Sequence, residues 1–130
     1  MLVFVYGSLL AGLHNHHHLA NARLVGADRT AATFQMVSLG AFPAIANVRT
    51  SGHSITGEVY EVNARTLRAL DFLEGVASGL YDRTTTTLAS GRQAQVYTMH
   101  HARLAALNAP RVEDGDWRRY TANRAATCRN

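Results

Sequence analysis

Lysine is absent from the 130 residues, so all 13 basic side chains are arginine and Schiff-base chemistry on a lysine amine is excluded. Cysteine occurs once, as Cys128, which excludes an intrachain disulfide and suits a reducing compartment; the cytoplasm is the expected location. No apolar run reaches the length of a membrane span, and neither a phosphate loop nor a dinucleotide fingerprint is present, so neither a membrane partner nor a cofactor is expected. A dense basic block is also missing. The formal charge is +4, but the arginines are scattered from Arg23 to Arg129 without interleaved aromatics, which reads as solvated surface, and nucleic acid is not an expected partner. The opening stretch MLVFVYGSLLAGL is apolar enough for a secretory leader but lacks its basic start, and Tyr6-Gly7-Ser8 interrupts it, so a leader is not expected.

What is present suits one domain spanning residues 1–130, large enough to fold without a staple. Leu2 to Tyr6 is short, β-branched and aromatic, and stops at Gly7, the pattern of a buried strand. A helical turn is expected over His16 to Ala22, followed by strands over Arg23 to Ala27, Thr33 to Ser38, Ala44 to Val48 and Ser54 to Val62. The alternation in GEVYEV marks the last of these as a half-buried edge. The period then changes: Asn63 is a good N-cap, Leu67, Leu70 and Leu73 recur at helical spacing, and Gly75 is the glycine expected just beyond a helix end. LYDRTTTTLA and QAQVYTM flank an SGR turn and form a hairpin, while the tail from about residue 102 shows no pattern and reads as irregular. Many short strands with few helices predict an α+β domain: a small, mostly antiparallel, barrel-like sheet with flanking short helices. The oligomeric state is left open.

Few residues carry chemistry. Glu74 is an acid at a helix C-terminus, against the helix dipole; partial burial there would raise its pKa toward the range of a general acid/base. The alternative is that Glu74 pairs with Arg83 or lies in solvent. Tyr81 and Arg83 are two apart on a strand and share a face, and Asp71 lies three residues before Glu74 on the same helix. The histidines of HNHHH, His14 and His16 to His18, match no zinc spacing, so no metal is expected. Ser8 has no His and Asp in a sequence context that would make it a hydrolase nucleophile.

Four segments in register, VFVYGSL, LGAFPAI, GEVYEV and LDFLEGVASGLYDRTTTTL, resemble the γ-glutamylcyclotransferase-like superfamily, nearest its γ-glutamylamine cyclotransferase and AIG2-like members. The resemblance runs from Leu2 to about Tyr97 and continues loosely in GDWRRY. It implies a closed or nearly closed barrel. It also implies cyclisation of a γ-glutamyl amine or γ-glutamyl amino acid to 5-oxoproline with release of the amine, without a cofactor. Carried over residue by residue, the catalytic glutamate falls on Glu74. The substrate-binding loop falls on Tyr6, Gly7, Ser8 and Leu9, whose backbone N–H groups hold the ligand. Tyr81 falls in the pocket, and Arg83 has a structural role. The chain departs from many relatives in having Leu10 and Ala11 where Lys or Arg follows the loop, and in lacking a proline in GVASG, both of which bear on substrate choice. The alternative function is a non-catalytic small-ligand or nucleic-acid binding module on the same fold.

Overall fold

The first strand, β1 (Leu2–Val5), is the centre of the molecule. Successive side chains of a strand point to opposite faces. Accordingly Val3 and Val5 belong to one buried cluster and Phe4, with Tyr6 beyond it, to another. A strand covered on both sides reads as a continuous apolar run, which is why this segment lacks alternation. The structure, a computed structural model, describes residues 1–128; Arg129 and Asn130 lie outside the described residues, as do the side chains of Ala126, Thr127 and Cys128.

Four more strands flank β1. β2 (Arg23–Arg29), β5 (Thr56–Glu61), β6 (Asp82–Thr87) and β7 (Gln93–Thr98) complete a mixed sheet in the order β2-β5-β1-β7-β6. β1 runs antiparallel to β5 and parallel to β7, and the remaining pairs are antiparallel. β3 (Phe34–Ser38) and β4 (Pro43–Asn47) form a separate hairpin whose residues enter both clusters. Among the described residues the fold is α+β with three α-helices, but the sheet is not a closed barrel. Its outer strands β2 and β6 meet only at one corner, through an isolated bridge between Thr30 and Leu88 and the Ala89 N–H donated to the Arg29 carbonyl at 2.8 Å. The strands that would fill the gap pair with each other instead. β5 is likewise interior rather than an edge: it lies between β2 and β1, and its polar Glu58 is half-buried because the loop after β1 covers it.

α1 (Ala64–Leu73) begins where expected, with Asn63 Oδ1 accepting the Thr66 N–H at 2.8 Å. The tail is not irregular. α2 (His101–Leu107) buries only Leu104, and α3 (Trp117–Cys128) anchors itself through Trp117 in the second cluster. Asp116 caps α3 by accepting from the Arg119 N–H at 3.1 Å. One short helix with a single buried leucine and one rich in arginine leave no apolar stripe to read. Among the described residues no helix is long and apolar enough to cross a membrane.

Candidate active site

Glu74 is placed by the way α1 ends. It is the C-cap, and Gly75 follows at φ +66°, the left-handed region that favours glycine. The Gly75 N–H returns to the Phe72 carbonyl at 3.1 Å and the Val76 N–H to the Asp71 carbonyl at 3.0 Å, the bonds of a Schellman motif. The chain therefore turns sharply at Gly75 and leaves the Glu74 side chain facing a cavity of about 150 Å³ between α1, the loop after β1 and the start of β4. Among the described residues no hydrogen-bond or ionic partner meets this carboxyl. Burial alone pushes its pKa up to about 7, from an ordinary 4.5. Pairing with Arg83 does not occur: Arg83 donates Nε to Asp71 Oδ1 at 2.8 Å and Nη1 to Gln95 Oε1 at 2.7 Å. Asp71 thus serves Arg83 and Tyr97 and leaves Glu74 unneutralised.

The opposite wall is the stretch from Tyr6 to Leu9. Gly7 is required by close packing: a Cβ there would lie 2.7 Å from Cδ of Pro43. The glycine expected to admit a ligand to the backbone thus first admits the Pro43 ring. Beyond it the loop is tied internally, with the Leu10 N–H donated to the Gly7 carbonyl and the Asn15 N–H to the Ser8 carbonyl, both at 3.0 Å. The Ala11 N–H goes to Glu58 Oε1, also at 3.0 Å. The N–H groups of Ser8 and Leu9 meet no acceptor among the described residues, and both residues border the cavity. Ser8 Oγ accepts from Asn15 Nδ2 at 2.9 Å, and among the described residues no histidine hydrogen-bonds to it.

Three phenols complete the lining. Tyr6 donates its hydroxyl to the Tyr97 carbonyl at 2.6 Å, Tyr81 to the Pro43 carbonyl at 3.0 Å, and Tyr97 to Asp71 Oδ1 at 2.7 Å. Burial raises the pKa of each, and the Glu74 charge adds to the rise, so all three stay neutral near pH 7. With its proton committed internally, each oxygen keeps acceptor capacity only.

All the residues expected at the site, Tyr6, Gly7, Ser8, Leu9, Glu74 and Tyr81, border this one cavity. Arg83 does not; it lies beyond Asp71 in a shallow groove on the other side of α1. His16 turns its Nδ1 to the Leu9 carbonyl at 2.9 Å and packs against Tyr60, His17 turns to the His14 carbonyl, and His17 and His18 lie ring against ring. Sequence reasoning missed Tyr97, Asn15, Phe42 and Pro43, which border the cavity from elements read only as strand or loop. It also missed Glu58. This residue holds the loop through Ala11, accepts from the Tyr60 hydroxyl at 3.1 Å and pairs with Arg118, whose Nη2 also donates to the Ala11 carbonyl at 2.6 Å. Its one signal was an acid on the polar side of an alternating strand.

A carboxyl group titrating near 7, opposite free backbone N–H groups and inside a small cavity, can move protons on a small carbonyl compound while the N–H groups hold its oxygen. Comparison with known proteins agrees with an enzyme of that class. The family model described as gamma-glutamyl cyclotransferase, AIG2-like, matches residues 3–119, and the chain belongs to this family. A Vibrio cholerae protein that carries a provisional gamma-glutamylcyclotransferase name is 37% identical over 117 residues, covering 89% of this chain and 94% of that one. Gamma-glutamylaminecyclotransferase C of Danio rerio is 34% identical over 130 aligned positions, covering 88% and 85%. The crystal structure of a mouse AIG2-like protein superposes with a TM-score of 0.74 at 30% identity, covering 86% of this chain and 85% of its own.

Proposed function

We propose that the protein converts a γ-glutamyl amine or γ-glutamyl amino acid to 5-oxoproline and the free amine, acting as a single domain in the cytoplasm, with Glu74 as general acid and base. The observation that carries this reading is Glu74 itself: a carboxyl with no partner among the described residues, its pKa pushed up to about 7, in one cavity with the Ser8–Leu9 stretch.

The chemistry asks little of a protein beyond folding the substrate and moving protons from the attacking to the departing nitrogen. The substrate's α-amine attacks its own γ-carbonyl, the lactam C–N bond forms, and the original amide C–N bond breaks. Because nucleophile and electrophile are tethered, holding them in the reactive geometry is worth effective molarities on the order of 10⁵ M or more. An α-ammonium must first lose a proton from a group of pKa about 8. The phenolic oxygens of Tyr6, Tyr81 and Tyr97, which can only accept, suit the ammonium before that loss. Glu74 takes a proton from the ammonium and delivers it to the departing nitrogen, and the second proton, shed by the attacking nitrogen as the lactam forms, follows the same route; the amine leaves as its ammonium, the carboxylate is regenerated, and neither water nor a redox partner enters the balance. The free N–H groups of Ser8 and Leu9 are suited to the substrate carboxylate or to the oxyanion that develops on the γ-carbonyl.

The test is a product assay across γ-glutamyl amines, γ-glutamyl amino acids and glutathione. Release of 5-oxoproline and amine in equal amounts from at least one class supports the reading. A folded protein that binds these compounds without turnover would make it a binding module.

A further inference from the structure

Isolated apolar side chains on a protein surface need no explanation, but several converging on one spot do. Among the described residues seven large apolar side chains are exposed, and three of them, Phe42 at 41%, Leu73 at 37% and Leu80 at 38%, border the Glu74 cavity. A fourth, Phe72 at 89%, is next to Leu73 in sequence. Leu73 ends α1, and Phe42 and Leu80 hang from tied turns. The Leu39 N–H returns to the Phe42 carbonyl at 2.9 Å, and the Leu80 N–H to the Gly75 carbonyl at 3.1 Å. The loop that carries Leu80, though it lacks proline, is held further by Ser78 Oγ on the Gly75 carbonyl and Arg103 Nη1 on the Gly79 carbonyl. These apolar groups are therefore held in place before anything binds.

The cavity, of about 150 Å³, is lined by Phe42, Leu73 and Leu80 as well as by Glu74 and the Ser8–Leu9 stretch. An acyl group held between Glu74 and Ser8–Leu9 would carry its attached amine toward these apolar side chains. Among the described residues Glu74 is the only carboxyl bordering the cavity, and Arg103 is a nearby cation whose charge reaches Tyr81. A positively charged tail would thus meet a like charge and apolar surface.

Building on the cyclotransferase reading above, we infer that Phe42, Leu73 and Leu80 form the subsite for the leaving amine. The chain selects γ-glutamyl compounds whose amine carries an uncharged aliphatic or aromatic substituent, against those with a cationic tail.

The test compares γ-glutamyl-pentylamide and γ-glutamyl-cadaverine, which share a five-carbon chain and differ by one terminal ammonium. The expected kcat/KM ratio favours the pentylamide by about tenfold or more, the lower end of what one contact group contributes in an apolar site. Leu80→Asp should lower that ratio at least about tenfold, and Phe42→Ser should lower it without adding a charge. Both residues are part-exposed, and circular dichroism checks that the variants fold. A ratio near or below one, with 5-oxoproline still released, overturns the inference and leaves the cyclotransferase reading intact. A ratio near one joined to concentration-dependent self-association that Leu80→Asp abolishes would make the rim a contact between copies. No 5-oxoproline from either substrate, nor from any other γ-glutamyl compound, removes the cyclotransferase reading and this inference together.

Discussion

Replacing Glu74 by Gln should make the protein inactive and, above neutral pH, more stable. A buried carboxyl whose pKa rises from 4.5 to about 7 keeps its proton in the folded state where the unfolded chain has lost it. Between those values the folded protein binds more protons than the unfolded, so stability falls as pH rises through that window. At about 1.4 kcal/mol for each pH unit, the full cost of ionising Glu74 in its cavity is about 3 kcal/mol at pH 8, an upper value because the mouth admits water. Gln has the same shape and no charge, so the variant escapes this cost at pH 8 and gains nothing at pH 4, where Glu74 is protonated in both states. Thermal or urea unfolding of both proteins at pH 4, 6 and 8 reads the difference directly. The expected gap is near zero at pH 4 and grows to about 1–3 kcal/mol at pH 8, several degrees in Tm. A gap that is constant with pH, or a variant less stable at pH 8 than wild type, would refute the assignment of a raised pKa to Glu74. The same titration predicts that kcat/KM rises with pH through about 7.

Gly7→Ala should cost about 1–3 kcal/mol in urea unfolding and lower kcat/KM, because the added Cβ presses on the Pro43 ring that borders the cavity and whose carbonyl holds Tyr81. Ser8→Ala should retain substantial activity, since only the hydroxyl bond from Asn15 is lost and the backbone N–H stays; loss of all turnover in a folded variant would favour a serine nucleophile. Glu58→Ala should release the loop at Ala11, lowering kcat/KM about tenfold, whereas Glu58→Gln keeps an acceptor oxygen and should recover part of the loss. Equal effects of the two substitutions would show that the Ala11 bond does not position the loop.

The strands, α1 and the turn at Gly75 were legible because their signals are local. Alternation, an Asn cap, leucines at helical spacing and a glycine that must adopt positive φ all act within a few residues. Pairings across the chain were not legible. Arg83 could be placed on a face, but nothing in the sequence tells it to choose Asp71 over Glu74, two acids one helical turn apart. Pro43 sits in a segment read as loop, yet it explains Gly7 and holds Tyr81, 38 residues away. The open sheet was hidden for the same reason, because whether β3 and β4 join the other strands or pair with each other is a tertiary choice. In α3, Trp117 is the buried anchor among the described side chains, with part-buried Tyr120 stacked on it, in a helix whose other residues are mostly polar, and two residues make no periodicity.

The most direct measurement is quantitative product analysis of one γ-glutamyl substrate with the wild-type protein and with Glu74→Gln, both shown to be folded. Wild type should release 5-oxoproline and amine in a one-to-one ratio with no free glutamate, and Glu74→Gln should release almost none. Free glutamate as the product would mean hydrolysis by water in place of attack by the substrate's own amine. Undiminished 5-oxoproline from the variant would mean that Glu74 does not carry the proton.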